Sequence, residues 1–281
     1  MIARASYAAA SHLIVRTSGL IVMVGVLSGC AVHRYDVPTG PWEPAPVSDA
    51  AQAWQAATGE CTRVVALRAS LRLSGRVGPQ SIPGIRSATL GVAVTAQDEV
   101  GLDARHSGQL LFRLGGTAER TVLVWSDGPR TMAAPAADLV DALIGVRVTP
   151  KQLLAILAGC AAVAGTPGSI ERGGADLRAT TSEGHVFLAR MSGTWRVRAA
   201  RLAGLQISYD LSGPGPGPSA VRIDSAPGTE AVVALSLRLV DVEHNPTPAL
   251  PASIFAVSVP AGALPMTLDE LRSWRGGGAV R

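Results

Sequence analysis

Lysine is almost missing from this chain. Lys151 is the one lysine among 281 residues, and every other base is an arginine. Charged residues of both signs make up only 16%, aromatics only 4%, and the net charge is +4. Two of the 25 bases, Arg4 and Arg16, fall in the first 29 residues, which hold no acid; 23 then remain against 21 acids. The arginines are dispersed, with no aromatics interleaved, which removes nucleic acid as a partner. Catalytic patterns are missing too. His33, His106, His185 and His244 are scattered without an HExxH, and Cys61 and Cys160 have no neighbour at zinc-ligand spacing. There is no G-x-S-x-G elbow and no phosphate-binding loop. The carboxylate pair Asp98-Glu99 flanks a turn. These absences point away from an enzyme: no catalytic residue, metal ligand or cofactor is expected.

What is present begins with an apolar run, Leu20 to Leu27, followed by Ser28-Gly29-Cys30. Arg4 and Arg16 make the leader weakly positive, and the run is too short to span a bilayer comfortably. Small residues flank a lone cysteine, as in a bacterial lipoprotein signal. Cleavage before Cys30 and acylation of that cysteine then leave residues 1–29 as an address. An ordinary N-terminal anchor, or a secretory signal cut elsewhere, is the alternative. Ala31 follows the cysteine, not Asp, which resembles an outer-membrane destination under Gram-negative sorting. One acyl chain holds a protein only marginally, and two or more are needed for stable attachment.

With Cys30 acylated, Cys61 and Cys160 remain, an even pair in an exported chain. They read either as a disulfide or as two buried free thiols.

Residues 31–47 hold Pro38, Gly40, Pro41, Pro44 and Pro46, so residues 30–47 read as a flexible tether. Ser48 is the expected cap of a short helix ending near Gly59. From 64 to 78 apolar Leu67, Ala69, Leu71 and Leu73 alternate with Arg68, Ser70, Arg72 and Ser74, a long strand with one wet face. Shorter strands are predicted over 88–96, 98–105, 109–115, 119–126, 130–133, 177–181, 185–190, 194–200, 203–211, 219–224 and 254–260. A second long alternation occupies 231–241. Two helices interrupt the series, 136–146 and 150–157, the second with Thr149 as cap and Pro150 at its first position. They are apolar enough to require burial, most simply against one face of the sheet. A domain over 48–275 and a frayed tail over 276–281 complete the chain. Such a sheet and its helices either enclose an apolar cavity or fill it completely.

The chain resembles the LolA/LolB-like outer-membrane lipoprotein carrier superfamily. The resemblance rests on the order of lipobox, proline-rich spacer, short helix, the strand Val64-Val65-Ala66-Leu67-Arg68-Ala69-Ser70-Leu71, a meander, and Asp138-Leu139-Val140-Asp141-Ala142-Leu143-Ile144 followed by Pro150-Lys151-Gln152-Leu153-Leu154. Phe255-Ala256-Val257-Ser258-Val259-Pro260 and Met266-Thr267-Leu268-Asp269-Glu270-Leu271 close it, over residues 48–272. It implies a mainly β fold, a half-open antiparallel barrel of about eleven strands under a helical lid. It also implies an apolar cavity that takes acyl chains of lipoproteins or lipids. The lining carried over is Leu71, Leu73, Leu90, Val92, Val94, Leu110, Phe112, Leu143, Ile144, Leu153, Ile156 and Leu157. The protruding membrane-touching loop of the LolB insertase has a polar counterpart here, Arg105-His106-Ser107-Gly108. Ile82 and Ile85 form the apolar tip instead.

The expected function is that of a lipid-anchored envelope protein, at the outer membrane and facing the periplasm, that binds acyl chains in lipoprotein or lipid transfer. The alternative is a structural or assembly lipoprotein that uses the fold to dock an envelope protein partner.

Overall fold

Two twelve-residue strands of alternating sequence, far apart in the chain, pair at the centre of the molecule. Ala66–Val77 buries Leu67, Ala69, Leu71 and Leu73 and exposes Arg68, Arg72 and Ser74. Val233–His244 buries Val233, Leu235, Leu237 and Leu239. They run antiparallel with Leu71 opposite Leu239 and Leu73 opposite Leu237, so both apolar rows fall on one face.

The structure, a computed structural model, describes residues 36–275 except Pro79, 82–87, Pro214, Pro216 and 230–231. The leader, Cys30, Ile82, Ile85 and the tail over 276–281 lie outside the described residues. In chain order the elements are β1 (Glu43–Pro44), α1 (Val47–Thr58), a 3-10 turn (Cys61–Arg63), β2 (Ala66–Val77), β3 (Gln80–Ser81), β4 (Thr89–Thr95), β5 (Glu99–His106), β6 (Gln109–Thr117), β7 (Thr121–Trp125) and β8 (Arg130–Ala134). Then come α2 (Ala136–Ile144), α3 (Pro150–Leu157), β9 (Ser169–Gly173), β10 (Asp176–Thr180), β11 (His185–Met191), β12 (Thr194–Leu202), β13 (Leu205–Asp210), β14 (Ala220–Ser225) and β15 (Val233–His244). A second 3-10 turn (Ala252–Ile254), β16 (Leu264–Pro265) and α4 (Leu268–Arg275) end the series.

The fold is mainly β. A single sheet runs in the order β1-β9-β10-β11-β12-β13-β14-β15-β2-β4-β5-β6-β7-β8-β16, with β3 beside β2. One meander works outward from β2 to β8, and a second starts at the opposite edge and works back to close on β2. The sheet is open and sixteen-stranded among the described residues, in place of the expected half-open barrel of about eleven strands. Part of the difference is β9, whose Ser-Ile-Glu-Arg-Gly shows no apolar alternation. The two-residue strands β1, β3 and β16, which sequence patterning does not reveal, add three more.

The topology explains the two apolar helices. β8 sits near one edge and β9 near the other, so the connection between them must cross a whole face of the sheet. α2 and α3 make that crossing and bury Leu139, Val140, Leu143, Leu154, Ile156 and Leu157 on the inner face. α1 covers the same face farther along, against β11 and β12.

Three expectations are corrected. The tether does not extend to residue 47: Val37 is buried against Phe187 and Ala199, and Trp42 packs on Phe187 at 5.9 Å. β1 pairs with β9, and the Ala45 N–H donates to the Ile170 carbonyl at 3.1 Å. The cap of α1 is Pro46, whose carbonyl accepts from Ala50, leaving Ser48 within the first turn. The strand expected over 254–260 is the second 3-10 turn followed by chain outside the sheet. Its apolar residues pack flat over β5 and β6 on the outer face. A Cβ at Gly101 would stand 2.7 Å from Ile254 Cγ2, and one at Gly115 2.8 Å from the Phe255 carbonyl, so glycine is what admits the segment.

The chain then joins the edge through β16, parallel to β8, and turns inward as α4. Thr267 caps α4 reciprocally: the Thr267 N–H donates to Glu270 Oε2 at 2.7 Å and the Glu270 N–H to Thr267 Oγ1 at 3.2 Å. Trp274 closes that end of the core edge-on to Trp125 at 4.6 Å, and Trp125 stacks on Phe112 at 5.3 Å. No helix among the described residues is long and apolar enough to cross a membrane.

Candidate functional site

The site is built around α3. Thr149 and Gln152 form a full capping box: the Gln152 N–H donates to Thr149 Oγ1 at 3.2 Å, and the Thr149 N–H to Gln152 Oε1 at 3.0 Å. Pro150 occupies the first helical position, where its missing N–H costs nothing. The next N–H, of Lys151, donates to Asp98 Oδ1 at 3.1 Å in the β4–β5 turn. Every early donor of the helix is therefore satisfied, and its start is fixed to the sheet.

The C-terminal end is fixed as firmly. Cys160 is joined to Cys61 in a disulfide with Cα atoms 5.6 Å apart, which ties the end of α3 to the turn after α1. The next two residues are held from the sheet side. The Ala161 N–H donates to the hydroxyl of Tyr209 at 3.1 Å, and Thr181 donates to the Ala162 carbonyl at 3.0 Å. Tyr209 is fully buried, and that burial, outweighing the hydrogen bond from Ala161, pushes its phenol pKa well above the ordinary value.

Between α1 and this braced helix lies a groove of about 450 Å³. Trp54 of α1, Val64, Leu154, Val163 and the disulfide form its main walls. Ala155 and Ala158 border it with short side chains that leave its space unfilled. The hydroxyls in the lining are already used: Thr58 donates to the Trp54 carbonyl at 2.8 Å and Thr62 to the Gly59 carbonyl at 3.2 Å. A smaller recess, about 210 Å³, lies on the other flank of α3 beside Ile156, Ala161 and Leu202. Lys151 borders both.

A larger groove of about 550 Å³ opens on the outer face of the sheet, but its chemistry is different. Two ion pairs stand in it. Arg113 grips Asp103 through two hydrogen bonds of 2.7 and 2.9 Å, and Arg68 meets Glu243 at 3.1 Å. The hydrogen bonds from Arg113 hold the Asp103 carboxyl below the ordinary carboxylate range. Val92, Leu102 and Ile254 border that groove too, but its lining is far more polar than that of the groove beside α3.

The cavity lining expected from the resemblance is placed mostly in the core. Leu71, Leu73, Leu90, Val92, Val94, Phe112, Leu143, Ile156 and Leu157 are buried in one continuous cluster, and Ile144 and Leu153 pack against it half-buried. Ile156 also reaches the smaller recess, and Val92 borders the outer groove. Leu110 does not join them. A bulge in β6 sets Leu110 opposite Arg105 and Phe112 opposite Ala104, with Leu111 as the extra residue. Leu110 thereby faces outward, bordering a recess with Arg113, Pro129 and Val257. Trp54, Val64, Val163 and Lys151 were not among the expected lining. Sequence patterning misses them because the groove arises where α1 meets α3, across about a hundred residues. Among the described residues no group of three or more His, Cys, Asp or Glu side chains is placed to hold a metal ion.

No family model matches the chain, and no curated protein does. Solved structures similar to it include a LolA superfamily protein of Nitrosomonas europaea, at 11% identity and TM-score 0.44, covering 75% of this chain and 96% of that one. A DUF1329 family protein of Desulfovibrio piger stands at 8% and 0.44, covering 76% and 98%. The lipoprotein LppX of Mycobacterium tuberculosis stands at 9% and 0.30, covering 76% and 100%.

Proposed function

We propose that this protein is a lipid-anchored binding and transfer protein, not an enzyme, and that it accepts acyl chains of lipoproteins or lipids at the outer membrane. The observation that carries the reading is the groove between α1 and α3. Its walls are apolar, its hydroxyls are committed, and its volume of about 450 Å³ falls inside the usual range for small-molecule pockets. An acyl chain needs apolar walls and no hydrogen bonds, which is what this lining provides.

The leader supplies the location. With Cys30 acylated, the tether is shorter than its prolines suggest, because the chain is already seated on the domain at Val37. Six residue steps separate Cys30 from Asp36, a reach of at most ~20 Å. A domain on so short a leash stays beside one membrane, as a resident acceptor and not as a shuttle.

The test is native mass spectrometry of the full chain released from lipid nanodiscs. Bound acyl lipid is expected as a discrete mass addition, lost in Leu154→Trp, whose indole fills the groove. Retention of the disulfide and of far-ultraviolet circular dichroism shows that the variant is folded. A wild-type chain that leaves the nanodisc without lipid contradicts the reading.

A further inference from the structure

The groove's one charged lining residue is also the chain's one lysine. Every other base in the chain is an arginine, and at Lys151 alone the sequence uses a compact ammonium on a flexible four-carbon stem. An arginine offers a planar fork suited to fixed carboxylates; an ammonium is a point charge that can follow a mobile anion. Lys151 is exposed at the start of α3 and borders the cavities on both flanks of that helix. Its backbone N–H is committed to Asp98, but among the described residues its ammonium is in no ion pair. The nearby acids are occupied or off to one side. Asp98 accepts from the start of α3, and Glu183 borders only the smaller recess. The lining of the main groove contains no acid.

We infer that the ligand is a single-chain amphiphile with an anionic head, and that Lys151 selects it by pairing with that head at the rim. The inference rests on the acyl-chain reading above and deepens it. The apolar walls hold the chain. The ammonium stays at the water boundary, where its charge is not desolvated, and reaches the head along its own apolar stem. A carboxylate or a phosphate monoester supplies the same negative charge, so a free fatty acid and a lysophosphatidic acid are two sources of one chemistry.

The experiment uses the full chain in nanodiscs and three photoreactive probes with identical diazirine-bearing alkyl chains. One ends in a carboxylic acid, one in a lysophosphatidic acid head, and one in a neutral alcohol. Labelling is read as cross-linked peptides from α1 and α3 at mildly alkaline pH, where the acid is ionised. The expected result is at least ten-fold more labelling by an anionic probe than by the alcohol, with the stronger anionic arm identifying the head. Lys151→Ala should reduce the anionic probes to the level of the alcohol while alcohol labelling persists. Lys151→Arg should restore part of the preference. Equal labelling by acid and alcohol in the wild-type chain, or a preference that survives Lys151→Ala, overturns the role of Lys151 and leaves the groove as an acyl site. No labelling of α1 or α3 by any probe overturns both.

Discussion

At the scale of single residues, Tyr209 shows how a polar atom braces an apolar site. Its hydroxyl is the partner of the Ala161 N–H at 3.1 Å, deep in the core and next to the disulfide. Tyr209→Phe keeps the ring and removes only that acceptor. An orphaned buried N–H costs about 1–3 kcal/mol. In a domain of this size that corresponds to a fall in melting temperature of several degrees. Calorimetry checks it, and an unchanged melting temperature would show that Ala161 finds another acceptor.

Two histidines give the fold a dependence on pH. Burial first, then the neighbouring Arg178 and Arg201, lowers the pKa of His185; burial lowers that of His244. Both imidazoles resist protonation in the folded chain, while the unfolded chain titrates near 6.5. Below that value the unfolded state binds more protons, so stability falls as pH drops and levels off beneath the folded pKa values. Above about 6.5 this contribution is complete. Asp103 adds a separate loss at lower pH, beneath its ordinary 3.8, because its folded pKa is depressed. Urea midpoints should therefore be flat from neutral pH to below 10, where the raised pKa of Tyr209 begins to cost stability, and decline through mildly acidic pH. The double variant His185→Asn, His244→Asn should flatten that decline, and an unaltered slope would assign it to other groups.

At the scale of elements, the disulfide and α3 decide whether the groove keeps its shape. The bond closes a loop with a sequence separation of 99. In the chain-entropy model a loop of that length contributes about 4–5 kcal/mol, an upper figure in practice. Cys61→Ser with Cys160→Ser should lower the urea midpoint accordingly. It should also speed hydrogen exchange in α1 more than in β2 and β15, whose pairing does not depend on it. Equal acceleration everywhere would mean that the bridge stabilises the molecule without shaping the groove.

The elements also show what sequence can and cannot reveal. β2, β15 and the Thr149-Pro150 start of α3 were legible because each is written in local chemistry: a period of two, or a cap followed by proline. The inner row from Leu67 to Leu73 was legible for the same reason. β9 was not, since its pairing is imposed by β10 and not by its own polar sequence. Leu110 was assigned to the wrong face because a single extra residue, Leu111, breaks the alternation without altering composition. The groove was the least legible part. Trp54 and Val163 belong to segments that look ordinary until the fold brings them together. Lys151 was conspicuous in composition, yet nothing local tied it to a cavity.

For the whole molecule, one open sheet carries a filled core and a separate recess above it. The meanders leave β8 and β9 at opposite sides, and the chain must lay α2 and α3 across the inner face to join them. That crossing buries the apolar row on the sheet and raises α3 beside α1, so the recess follows from the topology itself. The disulfide and Tyr209 hold it open at one end, and the capping box holds it at the other. In the proposed reading, acylation of Cys30 would keep the recess within reach of one membrane, because the chain is seated on the domain from Val37 onward. The most direct test of this account is X-ray diffraction from crystals of the full chain grown with a bromine-labelled fatty acid, read by anomalous scattering. The account predicts a bromine site between Trp54, Leu154 and Val163, with the carboxylate toward Lys151. Bromine bound only on the outer face, or nowhere while the groove holds ordered water, would contradict it.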